Sequence, residues 1–203
     1  MVNLRLSSAQ LIPYRLALTR SSAFGDERIG RLVRLETPGG HVGWGDAAPL
    51  PGFSRESIEM VDDDWKLHRP GLFQESLGGF DVPDPGTAIA SKFSTPALQF
   101  AMEQALVGLE SGRLGRPIAD VIAPGGPPRI WLAGLVTGSG AGAVESALHL
   151  AREGYTSMKI KVGRSGLADD IITILDIRRA VGPDINLRLD ANRAWSLDEA
   201  IRF

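Results

Sequence analysis

An α/β architecture in two parts is what the sequence predicts: an α+β unit over residues 1–125, then a partial, truncated (β/α) barrel of three βα units over residues 126–203. Three observations carry this. Residues 3–46 run as short alternating segments, Leu4 to Leu11, Tyr14 to Leu18, Gly30 to Glu36 and His41 to Trp44. Residues Ala123-Pro-Gly-Gly-Pro-Pro128 then form a proline- and glycine-rich break. Beyond that break, strand and helix patterns alternate regularly, the signature of a parallel sheet with right-handed crossovers.

In the first part, Thr37-Pro38-Gly39-Gly40 links the last two runs as a tight hairpin, so residues 3–46 read as an antiparallel meander. After Pro49-Leu50-Pro51-Gly52-Phe53 the pattern turns helical. Thr95 and Pro96 supply an N-cap and a first-turn proline, and Leu98, Met102, Leu106 and Leu109 follow at helical spacing, with Gly112 expected to end the run. The three consecutive carboxylates Asp62, Asp63 and Asp64 read as a solvated helix face rather than a cation site.

In the second part the expected elements are a strand over 130–136, a helix over 143–153 ended by Gly154 and a strand over 157–162. A helix over 167–181 ended by Gly182 and a strand over 185–190 complete the series. Ser196-Leu-Asp-Glu199 has the form of a capping box, so a helix should start there. Only four residues follow, far fewer than the roughly 12 that an isolated helix needs, and the sequence reads as stopping inside an element.

Composition excludes several classes. The 203 residues carry a formal charge of −2, with no basic block that would mark a nucleic-acid surface. The absence of cysteine excludes a disulfide scaffold, a thiolate metal site and a cysteine nucleophile. No apolar run approaches the roughly 18 residues of a membrane span and no leader-like segment opens the chain, so the expected location is cytoplasmic, with no membrane partner.

The chemistry concentrates in two strands. In Met158-Lys159-Ile160-Lys161-Val162, the strand period of two puts both lysines on one face. Parallel strands are usually buried on both faces, so two ammonium groups cost several kcal/mol there unless an anionic group meets them. In Ile185-Asn186-Leu187-Arg188-Leu189-Asp190, the polar residues Asn186, Arg188 and Asp190 again share a face. With the apolar faces packed on helices, Lys161 and Asp190 would stand at the C-terminal strand ends, where barrels of this type do chemistry. A metal-binding carboxylate beside lysines suits abstraction of a proton α to a carboxylate. The alternatives are an edge strand with solvated lysines and an Asp190 that caps a turn or pairs with Arg188.

These residues resemble a known family. The Lys159-Ile160-Lys161 strand, followed by Leu187-Arg188-Leu189-Asp190-Ala191-Asn192-Arg193-Ala194-Trp195, resembles the muconate-lactonising branch of the enolase superfamily, and the o-succinylbenzoate synthases most of all. Gly43-Trp44-Gly45-Asp46 through Phe53-Ser54 is similar to that family's cap segment, with Asp46 in place of the more usual glutamate. The resemblance implies an enolase-like N-terminal capping domain and the front of a TIM-type barrel. It further implies Lys161 as acid/base, Lys159 as the residue that orients substrate and stabilises negative charge, and Asp190 as a ligand of Mg2+. Arg188 and Asn192 take supporting, substrate-side roles, and Phe53 and Ser54 face the substrate from the cap. The implied reaction is dehydration of a succinyl-hydroxy-cyclohexadiene carboxylate to o-succinylbenzoate, a step towards menaquinone. The family's further metal carboxylates and second-side lysine have no counterpart in these 203 residues, so the chain alone is expected to have little or no dehydratase activity.

Two rival readings stand beside this one. N-acylamino-acid racemases and dipeptide epimerases use the same lysine positions. Alternatively, the chain is a non-catalytic fragment that self-associates or joins a complementary chain through open barrel edges. A third motif is set aside: Gly138-Ser139-Gly140-Ala141-Gly142-Ala143 matches a dinucleotide fingerprint formally, but Lys159 and Lys161 stand where an acidic ribose ligand is required. His41, His68 and His149 lack metal-ligand spacing, and no G-x-S-x-G elbow occurs.

Overall fold

Strand β1 (Ser8–Ser22) pairs antiparallel with β2 (Gly25–Glu36), which pairs antiparallel with β3 (Val42–Ala47), giving a meander in the order β1-β2-β3. This is a computed structural model, and it describes residues 5–22, 25–73, 90–127, 129–163 and 165–203. The chain divides into two compact units, Met1–Gly126 and Pro127–Phe203, and each is described by itself. The two runs expected on either side of Pro13 are one strand. Pro13 sits opposite Arg31 in an unbroken register from Ser8 to Ala17, and an edge strand tolerates a residue that lacks an N–H. Leu4 of the first run lies outside the described residues, as does Pro128 of the break.

Among the described residues of the first unit, helices α1 (Ile58–His68), α2 (Pro96–Leu114) and α3 (Ile118–Ile122) join this sheet, with a 3-10 turn at Arg69–Phe73. The core joins Val33, Leu35 and Ala47 of the sheet to Val61 and Trp65 of α1 and Leu98, Met102, Leu106 and Leu109 of α2, all buried. Gly112 does not end α2. The helix runs to Leu114 and stops at Gly115, which takes the left-handed conformation, φ 60°, that favours glycine. Strand β3 crosses α2 at very close range. A Cβ on Gly43 would come within 2.8 Å of Ala105 C, and one on Gly45 within 2.6 Å of Ala101 C.

The N-terminus of α2 corrects two expectations. Thr95 does not cap the helix with its own hydroxyl; that hydroxyl donates to Asp64 Oδ2 (2.7 Å), which also accepts from the backbone N–H groups of Ser94 and Thr95 (2.8 Å each). The acidic run on α1 is therefore not one solvated face. Asp63 faces water and pairs with Lys66, Asp62 forms a two-pronged pair with Arg31 of β2, and Asp64 points inward with its side chain 2% exposed. Consecutive helix residues point about 100° apart, so three adjacent carboxylates cannot share a face.

The second unit has the order β4 (Gly134–Val136), α4 (Gly140–Arg152), β5 (Ser157–Lys161), α5 (Leu167–Val181), β6 (Asn186–Asp190), α6 (Leu197–Arg202). Its three strands are parallel in the order β4-β5-β6. The first strand is shorter than expected: Ile130, Trp131 and Leu132 lie outside any strand and are 86%, 93% and 73% exposed. Ala143 and Ala147 of α4, Met158 and Ile160 of β5 and Ile177 of α5 form the core between helices and sheet. Helix α5 ends at Gly182, and Arg178 Nη1 donates to the carbonyls of Gly182 (2.6 Å) and Ile185 (2.8 Å), tying the helix end to the approach of β6. The capping box at Ser196 and Glu199 forms as the sequence indicates. Among the described residues, no helix is long and apolar enough to cross a membrane.

Candidate active site

The parallel register places Lys159 opposite Arg188 and Lys161 opposite Asp190, with Leu135 of β4 beside Lys159. Side chains of registered partners share a face. One face of the sheet thus carries Ser157, Lys159 and Lys161 from β5 and Asn186, Arg188 and Asp190 from β6, while Met158 and Ile160 pack against the helices. The face is open rather than enclosed: Lys161 and Arg188 are exposed, and the Lys159 side chain is 43% exposed.

Lys159 Nζ lies 2.5 Å from Asp190 Oδ2, and the Asn192 N–H donates to Asp190 Oδ1 at 3.0 Å. Lys159 therefore pairs diagonally with a carboxylate two positions beyond its registered partner, within reach of a long side chain. The hydrogen bond from Lys159, the one from the Asn192 N–H and the charge of Lys161 together hold the Asp190 carboxyl below the usual aspartate range. Asn192 and Arg193 have φ of 47° and 63°, a left-handed turn that returns the Asn192 amide to the strand end. Asp190 does cap a turn, but its ion-pair partner is Lys159 rather than Arg188.

The ladder runs one residue further, with the Val162 N–H donating to the Asp190 carbonyl (3.0 Å). The residues sequence reasoning missed lie just beyond. Gly163 (φ 81°) donates its N–H to Asp170 Oδ2 of α5 (2.7 Å), and Asp170 is buried. A left-handed glycine after a lysine strand is a legible sign of a tight loop; its acceptor on the next helix is not.

The remaining candidates, Phe53 and Ser54, belong to the first unit, on the turn after β3. Ser54 Oγ accepts from the Leu50 N–H (2.9 Å), Phe53 is 42% exposed, and the turn is strapped at both ends. Arg28 donates to the carbonyls of Ala48 and Pro49, and Glu56 Oε1 accepts from the Ala97 N–H (3.0 Å). A cleft of about 830 Å³ lies between this turn and the start of β2, lined by Arg28, Ile29, Arg55, Ile58 and Met60 among others. In Asp46, Oδ1 accepts from Tyr14 Oη (2.8 Å); burial first, then that bond, pushes the Tyr14 phenol up to about 12.

A magnesium ion finds too little here. Asp190 offers one carboxylate whose two oxygens are already engaged, and the described residues contain no cluster of three His, Cys, Asp or Glu that could hold a metal. Near-octahedral oxygen ligation is what such an ion needs. These residues do not by themselves fit it.

Comparison with known proteins gives the following. Residues 142–203 match the family described as enolase C-terminal domain-like. The L-Ala-D/L-Glu epimerase of Bacillus subtilis is 33% identical over 181 residues, which is 84% of this chain and 46% of that protein. A dipeptide epimerase from Enterococcus faecalis superposes with a TM-score of 0.80 at 23% identity, over 99% of this chain and 56% of that one, a likeness of fold. The o-succinylbenzoate synthase of Thermosynechococcus elongatus, solved with magnesium in its active site, gives 0.63 at 28% identity, over 96% and 55% respectively. The chain spans about half the length of the curated relatives it matches.

Proposed function

This chain belongs to the enolase superfamily, and from that premise we propose that it carries the lysine side of a site that moves a proton α to a carboxylate, in the manner of an o-succinylbenzoate synthase. The observation that supports this reading is the Lys159–Asp190 pair at 2.5 Å with Lys161 beside it on the same open face. In this reading Lys161, exposed at the strand end, is the group that takes the proton. Lys159, paired with Asp190, orients the substrate carboxylate from the same face. Arg188 adds positive charge to the same face, and the Asn192 amide keeps Asp190 in place. Asp190 is the carboxylate these residues would offer a bound magnesium, whose charge would stabilise the enediolate.

A second reading keeps the proton chemistry and changes the substrate to a dipeptide. It is favoured by the 33% identity to the Bacillus subtilis epimerase. Protein expressed from the gene that encodes this chain decides between the two. The dehydratase reading expects the succinyl-hydroxy-cyclohexadiene carboxylate to be converted to o-succinylbenzoate with magnesium, and Lys161→Ala to abolish conversion. Preferential α-proton exchange of L-Ala-D/L-Glu in D2O would replace it with the epimerase reading, and activity unaffected by Lys161→Ala would sink both.

A reading of another class, assembly with a further chain, is favoured by the exposure of Ile130, Trp131 and Leu132 beside β4 and of Leu197 (76%) and Ile201 (73%) on α6. Sedimentation of the purified 203-residue chain tests it. Assembly predicts a concentration-dependent mass above 21.7 kDa, and a monomer at every concentration counts against self-association.

A further inference from the structure

The loops that follow β5 and β6 are packed against each other at one point. Gly163, two residues after Lys161, takes φ 81°, and a Cβ there would lie 2.7 Å from Ala194 Cβ and 3.2 Å from Trp195 Nε1. The absence of a side chain is what lets the two loops meet. On its other side, the Gly163 N–H donates to Asp170 Oδ2 at 2.7 Å. Asp170 is 8% exposed, sits in the first turn of α5, and has no part in the proton chemistry described above. The β6 loop has its own internal ties: the Ala194 N–H donates to the Ala191 carbonyl (2.8 Å), the Trp195 ring lies 4.4 Å from that of Phe203 at a tilt of 31°, and the Asn192 N–H holds Asp190.

We propose that Asp170 is a positioning residue of the candidate site: through the Gly163 N–H it presses the β5 loop onto Ala194 and Trp195, and so fixes the strand ends that carry Lys161 and Asp190. A buried carboxylate facing only apolar side chains would be costly, whereas one that accepts a backbone N–H makes a charge-assisted hydrogen bond and gives the loop's donor a partner. Alanine at 170 leaves the Gly163 donor without its partner, frees the loop, and with it the support behind Asn192 and Asp190. Significance for catalysis rests on the reading of Lys161 and Asp190 as a site; the clamp itself does not.

Amide hydrogen exchange on the 203-residue chain, without substrate or metal, tests the clamp. Asp170→Ala should lower protection of the Gly163 amide about tenfold, the fold-change expected for one hydrogen bond to a charged acceptor. Protection at Asn192 and Ala194 should fall with it, while the central sheet amides of Met158 and Ile160 are unchanged. Asp170→Asn keeps an acceptor oxygen and should restore protection at all three loop amides. Gly163→Ala, with Asp170 intact, should reproduce the loss at Asn192 and Ala194 by steric separation, and carries the test together with Asp170→Asn if Asp170→Ala does not fold. A uniform fall across the unit, or loss at Gly163 with none at Asn192 and Ala194, would overturn the proposal. Either result leaves the lysine chemistry to its own turnover assay, and failure of that assay leaves the clamp standing.

Discussion

Gly45→Ala should leave residues 1–126 largely unfolded, with a loss of more than about 3 kcal/mol. The added methyl would overlap the Ala101 carbonyl oxygen and lie within 2.8 Å of Ala101 Cα, and both are backbone of α2. Backbone inside a helix cannot rotate aside as a side chain can, so either α2 lifts from β3 or β3 bends out of the sheet. Lifting α2 exposes Leu98, Met102, Leu106 and Leu109, each fully buried and worth about 1.5–3 kcal/mol. Domains have only about 5–15 kcal/mol in hand. Gly43→Ala meets the same obstacle at Ala105 and Leu109. Gly108→Ala is the control, because its nearest atom is Gly43 Cα at 3.3 Å. A gain of about 1 kcal/mol in helix propensity offsets that tight contact, so it should stay within about 1 kcal/mol of wild type. Urea denaturation followed by the fluorescence of Trp44 and Trp65 measures all three. A Gly45→Ala midpoint equal to that of Gly108→Ala would show that the strand and helix can separate at little cost.

That close approach shows where the sequence stops being legible. Gly43-Trp44-Gly45 reads as a strand with two glycines on one face, but the partner of that face is set by how a helix some 55 residues later is docked. Self-contained local signals are legible: helix α5 runs Leu167–Val181 between Gly166 and Gly182, and the capping box at Ser196 needs nothing beyond its own four residues. Signals that depend on a neighbour were read less well. The runs Leu4 to Leu11 and Tyr14 to Leu18 read as separate segments because a sequence does not say that Pro13 lies at a sheet edge, where one strand can carry it. Gly112 looked like a helix end because the left-handed turn at Gly115 is visible only in the backbone. Ile130–Leu132 looked like a strand by apolarity alone, yet only Gly134–Val136 finds a pairing partner, in β5.

The candidate site divides the same way. Strand periodicity and parallel register suffice to put Lys159, Lys161, Arg188 and Asp190 on one face, and both can be read from the chain. The diagonal reach of Lys159 to Asp190 cannot, because a registered reading pairs Lys159 with Arg188. Asp170 was invisible for another reason: an acidic residue in a helix's first turn is explained by the helix dipole alone, and its second task depends on a loop folding back beneath it.

Asp64→Ala should destabilise the first unit by on the order of 3 kcal/mol or more, because three donors lose one acceptor at once. Asp64 Oδ2 accepts from the Ser94 N–H, the Thr95 N–H and the Thr95 hydroxyl, all at the start of α2, while Oδ1 lies 2.9 Å from His68 Nδ1. Helix α2 has no side-chain cap from Thr95 itself, so removal of this carboxylate strands the helix N-terminus in a buried setting. Burial pushes the Asp64 carboxyl up, but the hydrogen bonds from Thr95 and Ser94 outweigh it and hold the group below the usual aspartate range. By linkage, a depressed folded value means that the unfolded chain binds the proton first, so the stabilisation is complete above about pH 5 and drains away as pH falls through the unfolded and then the lower, folded value. Wild type should therefore lose stability on acidification from about pH 5 downwards more steeply than Asp64→Asn, which has no charge to lose. Melting temperatures of the two proteins between about pH 3 and 7 make the comparison. Parallel curves would mean that the carboxylate contributes no more than a neutral acceptor, and that the start of α2 is held by packing of Phe93 against Trp65 instead.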